Sequence, residues 1–137
     1  NITEDIDDDL KSTISNSIAI INSKMDEFKI ADALDELFNI FRRCNKYIDE
    51  TTPWILAKEP EKQARLKTVL YNLIESIRIG AVLLQAFLPE TAESIFKQIN
   101  TDKTTIDTIK TFGKYDSKKV GTPVVLFQRI ENDKTNR

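Results

Sequence analysis

From Ile6 to Ile99 the apolar residues recur at intervals of three and four, and that spacing confines the chain to helices packed on helices. Ile6, Leu10, Ile14, Ile18, Ile21, Met25 and Phe28 share one face of a first helix. Ile30, Leu34, Leu37, Phe41, Cys44 and Ile48 do the same for a second, over about 30–50. Its outer face carries Asp32, Asp35 and Glu36 early and Arg42, Arg43 and Lys46 late, as the helix dipole favours. Pro53 stops it, because proline brings no N–H and disfavours a helical residue before it. A connection over 51–59 leads to Pro60, well suited to a helix's first turn. The third helix turns Leu66, Leu70, Leu73, Ile77, Ala81, Leu84 and Phe87 inward. Its stretch 79–84 is apolar nearly all round, so this helix is expected at the centre. Gly80 costs about 1 kcal/mol against alanine inside a helix, which close packing of a neighbour over Ser76 and Gly80 would offset. Pro89 opens a fourth helix with Ala92, Ile95, Phe96 and Ile99 inward.

Beyond Asn100 the pattern changes. Residues 104–112 read as one short helix and 113–119 as a polar loop. Val120 to Ile130 reads as extended, with Val124, Val125, Leu126 and Phe127 in a β-branched, apolar run. A lone strand has no partner in a helical protein. The tail is therefore expected to lie as an arm across the bundle or to dock on something outside the sequence, with 132–137 frayed. The expected fold is all-α: a bundle of four to five helices over 1–112, and a loop with an extended C-terminal arm over 113–137. Three glycines and four prolines in 137 residues leave little material for the turns of an all-β fold.

Several chemistries are excluded. The chain has no histidine, which removes the commonest general base and metal ligand. One cysteine, Cys44, cannot form an internal disulfide or build a zinc site; on its apolar stripe it reads as a buried reduced thiol, which fits a cytosolic protein. The glycines, at 80, 113 and 121, form no phosphate-cradling loop. Glu4, Asp5, Asp7, Asp8 and Asp9 crowd the N-terminus on what reads as a solvated helix face, the reverse of a signal peptide's basic opening. No apolar run approaches the roughly 20 residues that span a bilayer. The expectation is a soluble, cytoplasmic chain with no membrane partner, no cofactor and no catalysis of its own. The net charge of −2 conceals an asymmetry: residues 1–40 hold ten acids and three bases, and 41–137 hold twelve acids and seventeen bases. That leaves room for a basic face toward nucleic acid.

The informative stretch runs from Asn45 to Lys58. The only tryptophan, Trp54, follows Pro53 in a connecting turn, with Arg42, Arg43, Lys46 and Lys58 nearby in sequence. An indole among cations is how proteins hold single-stranded RNA: bases stack on the ring, each for about 1–3 kcal/mol, and the cations hold phosphates. A tryptophan beside proline in a helical hairpin also commonly plugs the end of a core, and residue chemistry alone favours that position. A helical protein–protein interaction module with a core tryptophan is therefore the competing reading.

A resemblance bears on this choice. Asn45, Tyr47, Ile48, Asp49, Glu50, Pro53, Trp54, Leu56, Ala57 and Lys58 resemble the helix-turn signature of the methionyl-tRNA synthetase anticodon-binding domain, of the class I synthetase type. The match continues through Leu66, Leu70, Tyr71, Asn72 and Leu73 to Phe87-Leu88-Pro89-Glu90-Thr91-Ala92. It closes on Lys119 to Ile130, similar to the Lys-Pro-Glu-Pro-Leu-Phe-Pro-Arg-Ile peptide of bacterial members. The resemblance implies that Trp54 stacks on the first base of a CAU anticodon, that Pro53 fixes the turn presenting it, and that Asp49 helps position the loop. It gives Asn45 and Lys46 a place facing RNA, with helix capping and solvation an equal alternative for each. Arg42 and Lys58 complete the expected RNA-binding set. The implied partners are methionine tRNA and the protein's own catalytic domain. The implied parent is an ATP-dependent methionine–tRNA ligase, with ATP, and zinc in some form, confined to the catalytic half.

The departures are specific. His-Ile-Gly-His and Lys-Met-Ser-Lys-Ser, the family's catalytic signatures, are absent. The helix bearing the family's Asn-x-x-x-Arg pair is expected just before residue 1, and without it the fragment should bind RNA weakly and with little selectivity. Asn39 and Arg43 have that spacing but follow the first helix, so the role does not transfer. Thr122, Val124, Val125 and Gln128 depart from the closing peptide. Leu126, Phe127 and Ile130 are expected to leave an apolar patch where that peptide folds toward the catalytic half.

Overall fold

The structure is a computed structural model that describes residues 3–109 together with Phe112. Five α-helices follow one another: α1 (Asp5–Asp26), α2 (Ile30–Thr51), α3 (Pro53–Leu56), α4 (Gln63–Leu84) and α5 (Pro89–Ile99). Two 3-10 turns, Pro60–Lys62 and Ile106–Ile109, complete the described elements. Residues 113–137, where the extended arm was expected, lie outside the described residues. No strand occurs among the described residues, and no helix there is long and apolar enough to cross a membrane.

The core forms where the three long helices meet. α1 packs on α2, α2 on α4, and α4 on α5, while α3 sits against α4. Every residue of α4 from Asn72 to Leu84 is buried, which makes it the central helix the sequence implies. A Cβ on Gly80 would sit 2.8 Å from Cζ of Phe41 on α2, so the missing side chain is what lets α2 approach. α5 turns Ala92, Phe96 and Ile99 into the same core, as its spacing requires.

Three expectations need correction. At the α1–α2 turn the first stripe overruns its helix, and the second begins on a residue that faces solvent. Phe28 has a left-handed backbone (φ 61°) and is 87% exposed, and Ile30 is also exposed. Phe28 ends α1 rather than lining the core. Secondly, the connection over 51–59 contains a helical turn of its own, α3, and α4 proper begins at Gln63 because Pro60 opens a 3-10 turn. Thirdly, the short helix expected over 104–112 is limited to the 3-10 turn at 106–109 among described residues. That segment is held by Arg78, which donates to the carbonyls of Lys103 (3.0 Å) and Thr108 (3.0 Å) and to Thr108 Oγ1 (2.8 Å).

Cys44 is buried, and burial pushes its thiol up to about 12. The thiolate is the reactive form. Folded protein should therefore leave Cys44 unmodified by a thiol reagent at pH 8, with full reaction after unfolding in guanidinium. Stoichiometric labelling of the native protein would contradict this placement.

Candidate nucleic-acid interface

The bend between α2 and α4 is built on two threonines and a proline. α2 is capped by Thr52, whose backbone is left-handed (φ 44°) and whose N–H donates to the Ile48 carbonyl at 2.9 Å. A β-branched residue in that region costs about 1–2 kcal/mol, so the surrounding bonds must hold it there. Thr51 Oγ1 donates to the Tyr47 carbonyl at 2.8 Å, and the Thr52 carbonyl accepts from Ile55 N–H at 2.9 Å. One residue thus closes α2 and opens α3. Pro53 takes the first position of α3, where its missing N–H costs nothing, and is itself buried.

That arrangement turns the next two side chains outward. Trp54 is 42% exposed and Ile55 46%, while Leu56 packs against the core. The indole therefore has an open flank. A core tryptophan, as the competing reading requires, would be sealed, and this one is not.

The other expected site residues divide into two groups. Arg42, Lys46 and Asp49 are exposed on α2, and Lys58 is exposed just beyond α3. Arg42 is steadied along its own helix by the Asn39 side chain and, through Nη2, by the Asp35 carbonyl at 3.4 Å. Asn45, in contrast, is only 9% exposed and turns into the protein with Cys44. The structure does not bring it to the open surface. Arg43, counted from sequence among the nearby cations, is 8% exposed and committed elsewhere: Nη2 lies 2.7 Å from Asp9 Oδ2 and Nη1 lies 2.8 Å from Glu50 Oε1.

Beneath the bend lies a cluster that sequence reasoning missed. Asp7, placed from sequence on a solvated face, has 0% exposure. Arg65 grips it with two bonds, Nη1 to Oδ2 at 2.6 Å and Nη2 to Oδ1 at 3.0 Å. The Tyr47 hydroxyl donates to Oδ1 at 2.7 Å, and the Glu4 N–H donates to Oδ2 at 3.1 Å. Asn72 Nδ2 in turn donates to the Tyr47 oxygen at 3.3 Å. Burial alone would push the Asp7 carboxyl up, but the donors from Arg65, Tyr47 and the Glu4 backbone outweigh it and hold the group below its ordinary value. Burial pushes the Tyr47 hydroxyl up, so it stays protonated as a donor. The signal was present in the spacing. Asp7, Leu10, Ile14, Ser17 and Ile21 form one buried row on α1, and Ala33, Leu37, Ile40, Cys44, Tyr47 and Thr51 one on α2, at threes and fours. Reading only apolar residues as inward hides both polar ends.

Among the described residues no group of three or more His, Cys, Asp or Glu side chains is placed to hold a metal ion.

Comparison with known proteins agrees with this architecture. Residues 2–137 match the family model of the anticodon binding domain of methionyl tRNA ligase. The methionine–tRNA ligase of Clostridium tetani is 48% identical over 132 residues, 93% of this chain and 20% of that protein. That of Bacillus subtilis is 40% identical over 133 residues, 95% of this chain and 20% of that protein. The chain thus spans about a fifth of the length of these relatives. Among solved structures, apo Mycobacterium tuberculosis methionyl-tRNA synthetase superposes with a TM-score of 0.79 at 24% identity, covering 90% of this chain and 25% of that one. At that identity the likeness speaks for the fold: an all-helical domain with this order of helices. With a family model that spans nearly every residue, the chain belongs to the family of the anticodon binding domain of methionyl tRNA ligase.

Proposed function

We propose that this domain reads the anticodon of methionine tRNA, with the first base of CAU stacked on Trp54, and so positions the tRNA for charging by the remainder of a methionine–tRNA ligase. The observation that carries the reading is the open indole, 42% exposed at the bend between α2 and α4. A base laid on such a ring removes two apolar faces from water at little entropic cost, since an indole has only two side-chain torsions to fix. Lys46 and Lys58, exposed on the two sides of the bend, and Arg42, exposed farther back on α2, are suited to backbone phosphates. Pro53 serves by fixing the turn, and Asp49 by repelling phosphate from one approach and so restricting how a loop can lie. Asn45, being buried, fits a supporting role rather than contact with RNA.

Ligase activity, with ATP as co-substrate, belongs in this reading to the part of the protein outside this chain. The M. tuberculosis enzyme has been solved with methionyl-adenylate, the anhydride that methionine and ATP form. Any zinc is placed in this reading outside this chain, which has no histidine and one cysteine to offer as the usual ligands.

The test is a salt series. Each phosphate neutralised on a single-stranded loop contributes about 0.7 to the slope of log affinity against log salt. Lys46→Ala and Lys58→Ala, each made in the full-length ligase, should lower that slope for methionine tRNA by about 0.7, whatever the anticodon. Slopes equal to that of the parent would remove these lysines from the RNA contact.

A further inference from the structure

Most of the bend that carries Trp54 faces solvent. Trp54, Ile55, Ala57, Lys58 and residues 60–64 are exposed, and Thr51 and Pro53 are its only buried residues. Leu56 and Pro53 seat α3 on α4, and the angle at which the bend leaves the bundle is set at its two roots. Tyr47, in the last turn of α2, is one root, and Arg65, in the first turn of α4, is the other. Both end on the same carboxylate, Asp7 of α1, whose two oxygens each accept two donors. The pair of bonds from Arg65 fixes an angle as well as a distance, and the Tyr47 hydroxyl fixes the second root against the first. A buried ion pair adds little net stability over well-packed apolar side chains, so geometry is what this one contributes.

We propose that Asp7, Tyr47 and Arg65 are positioning residues for anticodon reading, a buried clamp that sets the angle at which the α2–α4 bend presents Trp54 to the base. This rests on the anticodon reading given above. The clamp touches no RNA: Tyr47 and Asp7 have 0% exposure and Arg65 7%. Its effect on binding passes entirely through the indole.

Tyr47→Phe is the informative change. It keeps the ring in the core and removes only the hydroxyl, so the fold survives where Asp7→Ala could lose it. In the full-length ligase, Tyr47→Phe should raise the KM for methionine tRNA about fivefold and leave kcat within twofold. Arg65→Lys, which keeps the charge but loses the paired bonds, should do the same. In a Trp54→Ala background, Tyr47→Phe should move KM by less than twofold, because nothing is left to position. An equal rise in both backgrounds, or no rise with Trp54 in place, overturns the clamp while leaving the anticodon reading intact. A Trp54→Ala enzyme with unaltered tRNA KM overturns the anticodon reading itself, and the clamp with it.

Discussion

Trp54→Ala is expected to raise the KM for methionine tRNA in the full-length ligase by roughly 5- to 150-fold, the equivalent of about 1–3 kcal/mol of base stacking. Methionine activation, followed by pyrophosphate exchange, should be unchanged, because that chemistry needs no tRNA. The fold should survive. With 42% of the residue already in water, truncation removes less packing than it would at a sealed tryptophan and costs about 1–3 kcal/mol. Trp54→Phe should recover most of the affinity, since a smaller ring still offers a face. These three readouts separate stacking from support. A structural tryptophan would lose several kcal/mol of stability on truncation and lose activation along with tRNA binding.

Asp7→Ala is expected to have the largest effect on stability, a loss of about 3–5 kcal/mol in urea unfolding, because it takes from the buried Arg65 guanidinium its paired carboxylate and leaves the longer contact to Glu4 at 3.4 Å. Small domains are stable by only about 5–15 kcal/mol, so this variant should sit near its unfolding limit at room temperature. The pH dependence follows from the same bonds. Asp7 ionises more readily in the folded chain than at its ordinary value of 3.8, so the unfolded chain binds more protons in acid. The contribution of Asp7 is therefore complete above pH 3.8 and is lost as pH falls through the lowered folded value. An acid titration of the parent should show this decline, and Asp7→Asn should show a flatter acid limb from a lower plateau. A parent and an Asp7→Asn variant with parallel acid limbs would mean that the carboxylate is not held ionised by Arg65.

The sequence made the helices legible because their apolar rows are long. α4 announced itself as the central helix through the near-continuous run at 79–84, and Pro53, Pro60 and Pro89 marked element starts or stops to within a few residues. The exposed tryptophan was less legible. Proline beside tryptophan is compatible with a sealed hairpin, and what exposes the ring is the left-handed turn at Thr52, which no rule about threonine would suggest. Phe28 shows the same limit: spacing places it on a stripe, but a left-handed residue breaks the helix first. The buried polar cluster was hidden for another reason. An aspartate in an N-terminal turn is usually a solvated dipole partner, and only the approach of Tyr47 and Arg65, 40 and 58 residues away in sequence, gives Asp7 its donors. The likeness to synthetase domains pointed to Trp54, to Pro53 as fixing its turn and to Asp49 as positioning the loop, but assigned no role to Asp7 or Arg65.

Acrylamide quenching of the single tryptophan's fluorescence in this chain, alone and with a CAU stem-loop, tests the exposed ring most directly. The expected result is strong quenching in native buffer, reduced when the stem-loop is added at low salt and restored when salt is raised. An indole shielded from acrylamide in the free protein, or one whose quenching is the same with and without the stem-loop, would contradict it.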